Sequence, residues 1–173
     1  MRLKLSLLAC LAGLPISICP AAGPEPIRIG VTCPFTGGSS PMGESMRNGI
    51  RMATEEINWK GGILGRPIEL IERDDEANPD KGRTFAEELT GKARVVATIG
   101  SCNTGVVLKT IDLYQKARIP LLVPVATGVA ITTTFAKEAE HYIFRNSAND
   151  DIQAQLVARE AVERRRFRKV AVF

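Results

Sequence analysis

Histidine and aromatic residues are scarce in this sequence. His141 is the only histidine, and aromatic residues make up 5% of the chain. A lone histidine without metal-ligand spacing around it argues against a metal centre. No Gly-x-Gly-x-x-Gly follows the first predicted strand, and no phosphate-loop lysine is present. We therefore expect a protein that is not an enzyme, with no catalytic residues, no cofactor and no metal.

Positive charge is in small excess and is concentrated near the end of the chain. The formal net charge is +4 at pH 7, and much of the excess lies in 164–166, Arg168 and Lys169. This run falls at the predicted end of a helix, where cations complement the helix dipole. A nucleic-acid interface would need basic residues spread over a face and interleaved with aromatic ones. The sequence therefore predicts no nucleic-acid partner.

No apolar run is long enough to span a membrane as a helix. Arg2 and Lys4 precede an apolar stretch over 5–18, which is followed by small and then polar residues. This order is typical of a secretory signal peptide, predicted here over 1–21 with cleavage after Ala21. The stretch is shorter than the roughly 20 residues that a membrane-spanning helix needs. We expect an exported, soluble mature protein.

Segments with strand and helix character alternate along the rest of the chain. The predicted strands cover 27–32, 67–72, 95–100, 119–123, 142–145 and 169–173. The predicted helices start at Pro41, after a capping Ser40, and then cover 79–90, 104–117 and 149–164. This alternation predicts βαβ units and an α/β fold with a doubly wound parallel sheet and helices on both faces. The 95–100 strand is predicted to be buried on both faces. Ligands of such sheets bind beyond the carboxyl ends of the strands.

The loops after the predicted strands carry a recognisable series of motifs. In chain order they are Ile27-Arg28-Ile29-Gly30, Pro34-Phe35-Thr36-Gly37-Gly38, Asn48-Gly49-Ile50, Glu56-Ile57-Asn58, Gly61-Gly62-Ile63-Leu64-Gly65, Asp74-Asp75, Ile99-Gly100, Asn103-Thr104-Gly105, Pro120 and Pro124-Val125-Ala126-Thr127. Each motif is weak alone, but the ordered set resembles the leucine/isoleucine/valine-binding branch of the type I periplasmic binding proteins, which are substrate-binding proteins of ABC transporters. The resemblance covers 27–173.

The resemblance implies a fold, a domain division and a location. It implies strand order 2-1-3-4-5 in an N-terminal ligand-binding lobe over 22–146, with 147–173 as the truncated beginning of a second lobe. It also implies a periplasmic protein that delivers branched-chain or related amino acids to the membrane permease of an ABC importer. The alternatives are a ligand-sensing domain of the same fold in a regulatory system and a non-functional half-receptor. Which amino acid or other carboxylate is bound stays open.

The resemblance also implies a set of ligand-binding residues. Family members hold the α-carboxylate with a hydroxyl and backbone N–H at a helix start, here Thr104, where most members have serine. They hold the α-ammonium with a carbonyl and a threonine hydroxyl, here Val125 and Thr127. The free N–H groups of a helix start independently favour an anion at Thr104. Thr104 could instead be only an N-cap, and Thr127 only a turn residue. Asn103, Ala126 and Phe35 complete the predicted site, with Phe35 placed more readily in the partial core than on the ligand.

Two acidic residues, Asp74 and Asp75, follow the second predicted strand. They could suggest paired acids for catalysis or metal binding, but we expect them to cap the next helix. A phosphorylated receiver of flavodoxin-like fold has its acid pair after the first strand, where this chain has Thr32 and Cys33. An enzyme using Cys102 at a helix start is a further alternative, since a thiolate is stabilised there. His141 is its only candidate base.

Removal of the predicted signal peptide leaves two cysteines, Cys33 and Cys102. In the implied strand order they follow neighbouring strands, which lie about 4.8 Å apart and therefore within disulfide reach. Pairing is plausible in an oxidising compartment. We expect two small buried thiols, with a Cys33–Cys102 disulfide as the alternative.

Overall fold

The computed structural model describes residues 23–171, so the predicted signal peptide lies outside the described residues. Strands and helices alternate as the sequence predicts. The strands are β1 (Ile27–Cys33), β2 (Ile68–Asp74), β3 (Ala97–Gly100), β4 (Leu121–Val123) and β5 (Ile143–Arg145). The helices are α1 (Ser40–Trp59), α2 (Pro79–Thr90), α3 (Thr104–Ala117), α4 (Ala130–Thr133) and α5 (Asp150–Arg159), which continues as a π-helical turn, Glu160–Arg164.

The five strands form one parallel sheet with the order β2-β1-β3-β4-β5. The predicted fold class and strand order are therefore confirmed. Because every connection is a crossover between parallel strands, the loops after the strands meet at one edge of the sheet. This carboxyl edge holds all of the predicted site residues.

One face of the sheet is well covered. Helices α2, α3 and α4 pack on it, and their apolar side chains meet those of β4 and β5 in a single core. Val107, Ile131 and Val123 have no exposed surface, and Tyr114 is 2% exposed. The burial raises the pKa of Tyr114 to about 12, since the phenolate would lose its hydration.

The opposite face is only partly covered. Helix α1 lies against β1 and β2, and a cavity of about 380 Å³ separates parts of it from Ile29, Leu70 and Ile99. Ile99 pairs in register with Leu122, which pairs with Phe144, and these two side chains are 38% and 45% exposed. The prediction that the 95–100 segment is buried on both faces is wrong, because Val96 is 56% exposed and Ala97 and Ile99 are only partly buried.

Several local predictions also need correction. The short helix α4 lies between the predicted strands 119–123 and 142–145, where no helix is predicted. Lys169–Ala171, in the last predicted strand, has no strand structure, because the described residues offer it no pairing partner. Ser39 rather than Ser40 is the N-cap position of α1, without a side-chain capping bond. Trp59, the last residue of α1, is 86% exposed.

Helix α5 differs from the others, since none of its residues is buried. Asn149 caps it by accepting a hydrogen bond from the Ile152 N–H, but Ile152 and Leu156 are 58% and 65% exposed.

In the part of the chain that the structure describes, no helix combines the length and the apolar character needed to cross a membrane.

Candidate functional site

The start of α3 presents unused hydrogen-bond donors at the carboxyl edge. The N–H groups of Val106 and Val107 both donate to the Asn103 carbonyl. The N–H groups of Thr104 and Gly105 donate to no group among residues 23–171. Asn103 rather than Thr104 is the N-cap position, and its side chain makes no capping bond. The positive end of the helix dipole and two free N–H groups therefore favour an anion here.

The Thr104 hydroxyl already accepts one hydrogen bond within the protein. Its Oγ1 accepts a hydrogen bond from the Gly128 N–H at 3.2 Å. A hydroxyl that accepts in this way still has its own proton to donate. The two residues fit closely, since a Cβ at Gly128 would lie 2.3 Å from Thr104 Cγ2. Thr104 therefore connects two loops and leaves an O–H donor for a third group.

The loop after β4 supplies acceptors. The Ala126 carbonyl accepts from the Ser147 hydroxyl at 3.0 Å, and the Thr127 carbonyl accepts from Arg145 at 2.7 Å and from the Asp150 N–H at 3.0 Å. By contrast, the Val125 carbonyl and the Thr127 hydroxyl have no partner within residues 23–171. These two oxygens are therefore available to a donor such as an ammonium group.

Asn103 contributes a further acceptor. Its Oδ1 is buried and has no hydrogen-bond partner within the described range. A buried acceptor without a partner costs free energy unless a donor reaches it. It lies directly before the free N–H groups of α3, so donors and acceptors occur together at this helix start.

Phe35 is held by contacts within the protein. It is half-buried, the Arg47 guanidinium lies 4.7 Å above its ring centre, and its N–H donates to Asp74 at 2.8 Å. These contacts favour a packing role over a free ligand wall. An apolar groove of about 470 Å³ lies instead beside Val125, lined by Pro41, Met42, Ser45, Met46, Pro124 and Val125. Sequence reasoning did not place Met42 and Met46 at the site, because methionine at helical spacing gives no signal of a ligand groove.

Asp74 and Asp75 do not cap α2, so that prediction is wrong. The cap is Asn78, whose Oδ1 accepts from the N–H groups of Asp80 and Lys81. Asp74 accepts from Phe35 and from the Thr36 hydroxyl at 2.7 Å. Burial alone would raise the pKa of Asp74, but these hydrogen bonds outweigh it and hold the pKa below its ordinary value.

Asp75 faces the interior. It is 0% exposed and accepts from the Ser101 hydroxyl at 2.6 Å and from the Ala77 N–H at 2.9 Å. Burial raises its pKa, and the two hydrogen bonds offset part of this rise. Among the residues described, no group of three or more histidine, cysteine, aspartate or glutamate side chains is arranged to hold a metal ion.

Cys33 and Cys102 lie together where β1 and β3 end. Their Cα atoms are 5.4 Å apart and their sulfur atoms are joined in the structure. This separation lies within the range of disulfides, so the geometry favours the bridge over two free thiols. Cys102 would then have no thiolate, which removes the structural basis for the cysteine enzyme considered above.

The similarities to known proteins agree with this geometry. The profile of the family described as "Periplasmic binding protein" matches residues 26–173. The chain is 32% identical over 146 residues to the Leu/Ile/Val-binding protein homolog 2 of Brucella abortus (strain 2308), covering 84% of this chain and 38% of that protein.

Solved structures show the same similarity to periplasmic binding proteins. The branched-chain amino acid transporter substrate-binding protein LivJ of Streptococcus pneumoniae, in complex with isoleucine, superposes with a TM-score of 0.74 at 25% identity, over 80% of this chain and 38% of that one. An ABC transporter substrate-binding protein of Desulfitobacterium hafniense in complex with leucine gives 0.68 at 30% identity, over 81% and 39%.

The two solved proteins are substrate-binding proteins of transporters, and the matching family is described as periplasmic. The chain spans about 38% of the length of the curated relatives it matches. Its profile match covers residues 26–173, and its sheet order and edge loops are those expected from the motif series. The chain therefore belongs to the type I periplasmic binding protein family, in the branch of the leucine/isoleucine/valine-binding proteins.

Proposed function

We propose that this chain is the first lobe of a periplasmic solute-binding protein that delivers a branched-chain or related amino acid to the permease of an ABC importer. The observation that carries the proposal is the pairing of unused donors and acceptors at one sheet edge. Thr104 and Gly105 offer N–H groups and a hydroxyl to an α-carboxylate. Val125 and Thr127 offer a carbonyl and a hydroxyl to an α-ammonium group. An amino acid is a ligand that needs both.

The groove beside Val125 fits the rest of such a ligand. Met42 and Met46 line it together with proline and valine side chains, and methionine adapts its shape to different aliphatic groups. An apolar ligand side chain would be removed from water there. We therefore place the aliphatic side chain of the ligand in this groove, and we assign Phe35 to supporting the loop after β1.

The proposal includes a division of the chain. Residues 1–21 would direct export to the periplasm, 22–146 would form the ligand-binding lobe, and 147–173 would begin a second lobe that closes over the ligand. The exposed apolar residues of α5 support the last assignment, because an unpartnered helix of this kind lacks a core of its own. We infer binding and transport, with no catalytic step.

The first lobe alone should bind weakly. Three or four hydrogen bonds to charged groups contribute about 1.5–3 kcal/mol each, whereas association costs about 4–15 kcal/mol. The two contributions nearly cancel, so we expect millimolar or weaker binding to this chain. A micromolar dissociation constant measured by calorimetry would contradict this estimate.

The test is an amide chemical-shift titration of the ¹⁵N-labelled chain with leucine, isoleucine and valine. We expect saturable shifts at Thr104, Gly105 and Gly128. Thr104→Val and Thr127→Val should each reduce the affinity severalfold, since each removes one hydroxyl and keeps the side-chain shape. Thr133→Val is the matched control, because its hydroxyl donates to the Val129 carbonyl just before α4 and is not among the proposed contacts.

Benzoate separates the two halves of the site. It has a carboxylate and no ammonium group, so Thr104→Val should weaken its binding while Thr127→Val leaves it unchanged. A chain that binds benzoate but none of the three amino acids would point to an organic acid as the solute. Absence of shifts at the α3 start with every ligand would refute the proposed function.

A further inference from the structure

The proposed binding site does not account for Asp75. This carboxylate is 0% exposed, whereas aspartate is almost never fully buried unless it is paired. No cation is among its hydrogen-bond partners within residues 23–171. Burying a charged group without a compensating partner is costly, so a position of this kind calls for a specific role.

The contacts of Asp75 join three loops at the carboxyl edge. Its Oδ2 accepts from the Ser101 hydroxyl at 2.6 Å, in the loop after β3. Its own N–H donates to the Cys33 carbonyl at 3.2 Å, at the end of β1. Its carbonyl accepts from the Asn78 N–H at 2.7 Å, at the start of α2. One residue therefore holds the ends of β1, β2 and β3 together.

Ser101 connects this contact to the ligand-binding residues. It is 4% exposed and stands directly before Cys102 and the α3 start, so the backbone between Ser101 and Thr104 is very short. Its other neighbour, Gly100, lies so close to β1 that a Cβ there would be 2.3 Å from the Thr32 carbonyl oxygen. A shift of Ser101 would therefore be passed on to the free N–H groups of α3.

We propose that Asp75 is a positioning residue for ligand binding: through Ser101 it fixes the start of α3 where its N–H groups meet a carboxylate, without touching the ligand. This inference rests on the proposed function. It assigns the hydrogen bond between Asp75 and Ser101 to affinity, beyond its contribution to folding. An error of about 1 Å in the placement of hydrogen-bonding groups is enough to weaken their interaction with a ligand.

The test compares Ser101→Ala, Asp75→Asn and the double variant in the leucine titration of the ¹⁵N-labelled chain. Thr90→Ala is the control, since its half-buried hydroxyl donates to Ala86 at 2.7 Å, far from the α3 start in the chain. We expect each single variant to weaken binding about threefold to tenfold, which is the range of one hydrogen bond. The double variant should be no weaker than the weaker single one, and Ser101→Thr should restore most of the affinity.

A purely structural role would give a different result. All variants are measured well below their unfolding midpoints, so a loss of stability alone would lower the midpoint and leave the affinity unchanged. Unchanged affinity in folded Ser101→Ala would overturn the proposal, as would losses that simply add in the double variant. If Asp75→Asn does not fold, Ser101→Ala and Ser101→Thr decide the question.

A second readout does not need the ligand. Amide hydrogen exchange at Val106 and Val107, whose N–H groups close the first turn of α3, should accelerate in Ser101→Ala and Asp75→Asn but not in Thr90→Ala. If the unmodified chain binds no amino acid, the proposed function fails, and the exchange rates still test whether Asp75 and Ser101 position the start of α3. Equal exchange rates in all variants would overturn the positioning role of Asp75.

Discussion

The two faces of the sheet differ in how they are covered, although the same strands form both. In β4, Leu121 points into the core under α3 and is 2% exposed, whereas the adjacent Leu122 is 38% exposed on the α1 side. Parallel sheets normally have both faces covered by helices. The comparison shows that the apolar character of a strand residue does not reveal whether a helix covers it. We therefore expect truncation of an apolar side chain on the α1 side of the sheet to lower the free energy of unfolding less than truncation in the core.

The largest expected effect comes from this adjacent pair of leucines. Leu121→Ala should lower the free energy of unfolding by about 2–5 kcal/mol, because it opens a cavity in the packed core. Leu122→Ala should cost less than about 1 kcal/mol, since much of the side chain is already in water. Urea denaturation followed by circular dichroism measures both. Similar losses would mean that the α1 side is covered in solution.

The Cys33–Cys102 disulfide should contribute almost as much to the free energy of unfolding as the Leu121 side chain. Cys33→Ser or Cys102→Ser should lower the free energy of unfolding by about 2–4 kcal/mol, because the bridge closes a long loop in the unfolded chain; the sequence separation is 69. Reduction of the unmodified protein should have the same effect. Two free thiols in the denatured, unreduced protein would contradict the pairing.

Substitution of Asp74 should lower the free energy of unfolding by a smaller amount, which depends on pH. Its pKa is lowered in the folded protein, so its stabilising contribution is present above its ordinary pKa, near 3.8, and is lost as the pH falls through the folded value. Asp74→Asn should therefore cost about 1 kcal/mol at pH 7 and progressively less as the pH falls below 3.8. The measurement is denaturation across that range, with exposed Asp151→Asn as the control for charge removal. A cost independent of pH would contradict the assignment.

The smallest effect is expected on α5. Leu156→Ala should change the free energy of unfolding by no more than about 0.5 kcal/mol, because the side chain is 65% exposed and exposed positions rarely contribute more. Matched against Leu121→Ala, this variant tests whether α5 is part of the cooperative unit. A loss above about 1 kcal/mol would show that α5 packs against something in solution.

The fold was predictable from the sequence because strand and helix signals alternate, and crossover connections then restrict the sheet to a parallel one. The position of the loops that carry the proposed ligand-binding residues was predictable as well, since Asn103-Thr104-Gly105 and Val125-Ala126-Thr127 follow strands. The short helix α4 was not, because threonine is a weak helix former and its role in a loop looks the same in sequence. The cap of α2 was assigned to Asp74 and Asp75 because they stand near the helix, although Asn78 is closer to it.

The sequence by itself determined the succession of elements, the sheet order that follows from the family resemblance, and the residues that reach the carboxyl edge. These depend on periodicity and on contacts between near neighbours in the chain. Only the tertiary structure decided that Thr104 accepts from Gly128 and keeps its proton to donate, that Asp75 binds Ser101, and that Leu122 and Phe144 stay partly exposed on the sheet. Each of these results depends on the three-dimensional arrangement of residues distant in the chain, which no local pattern encodes.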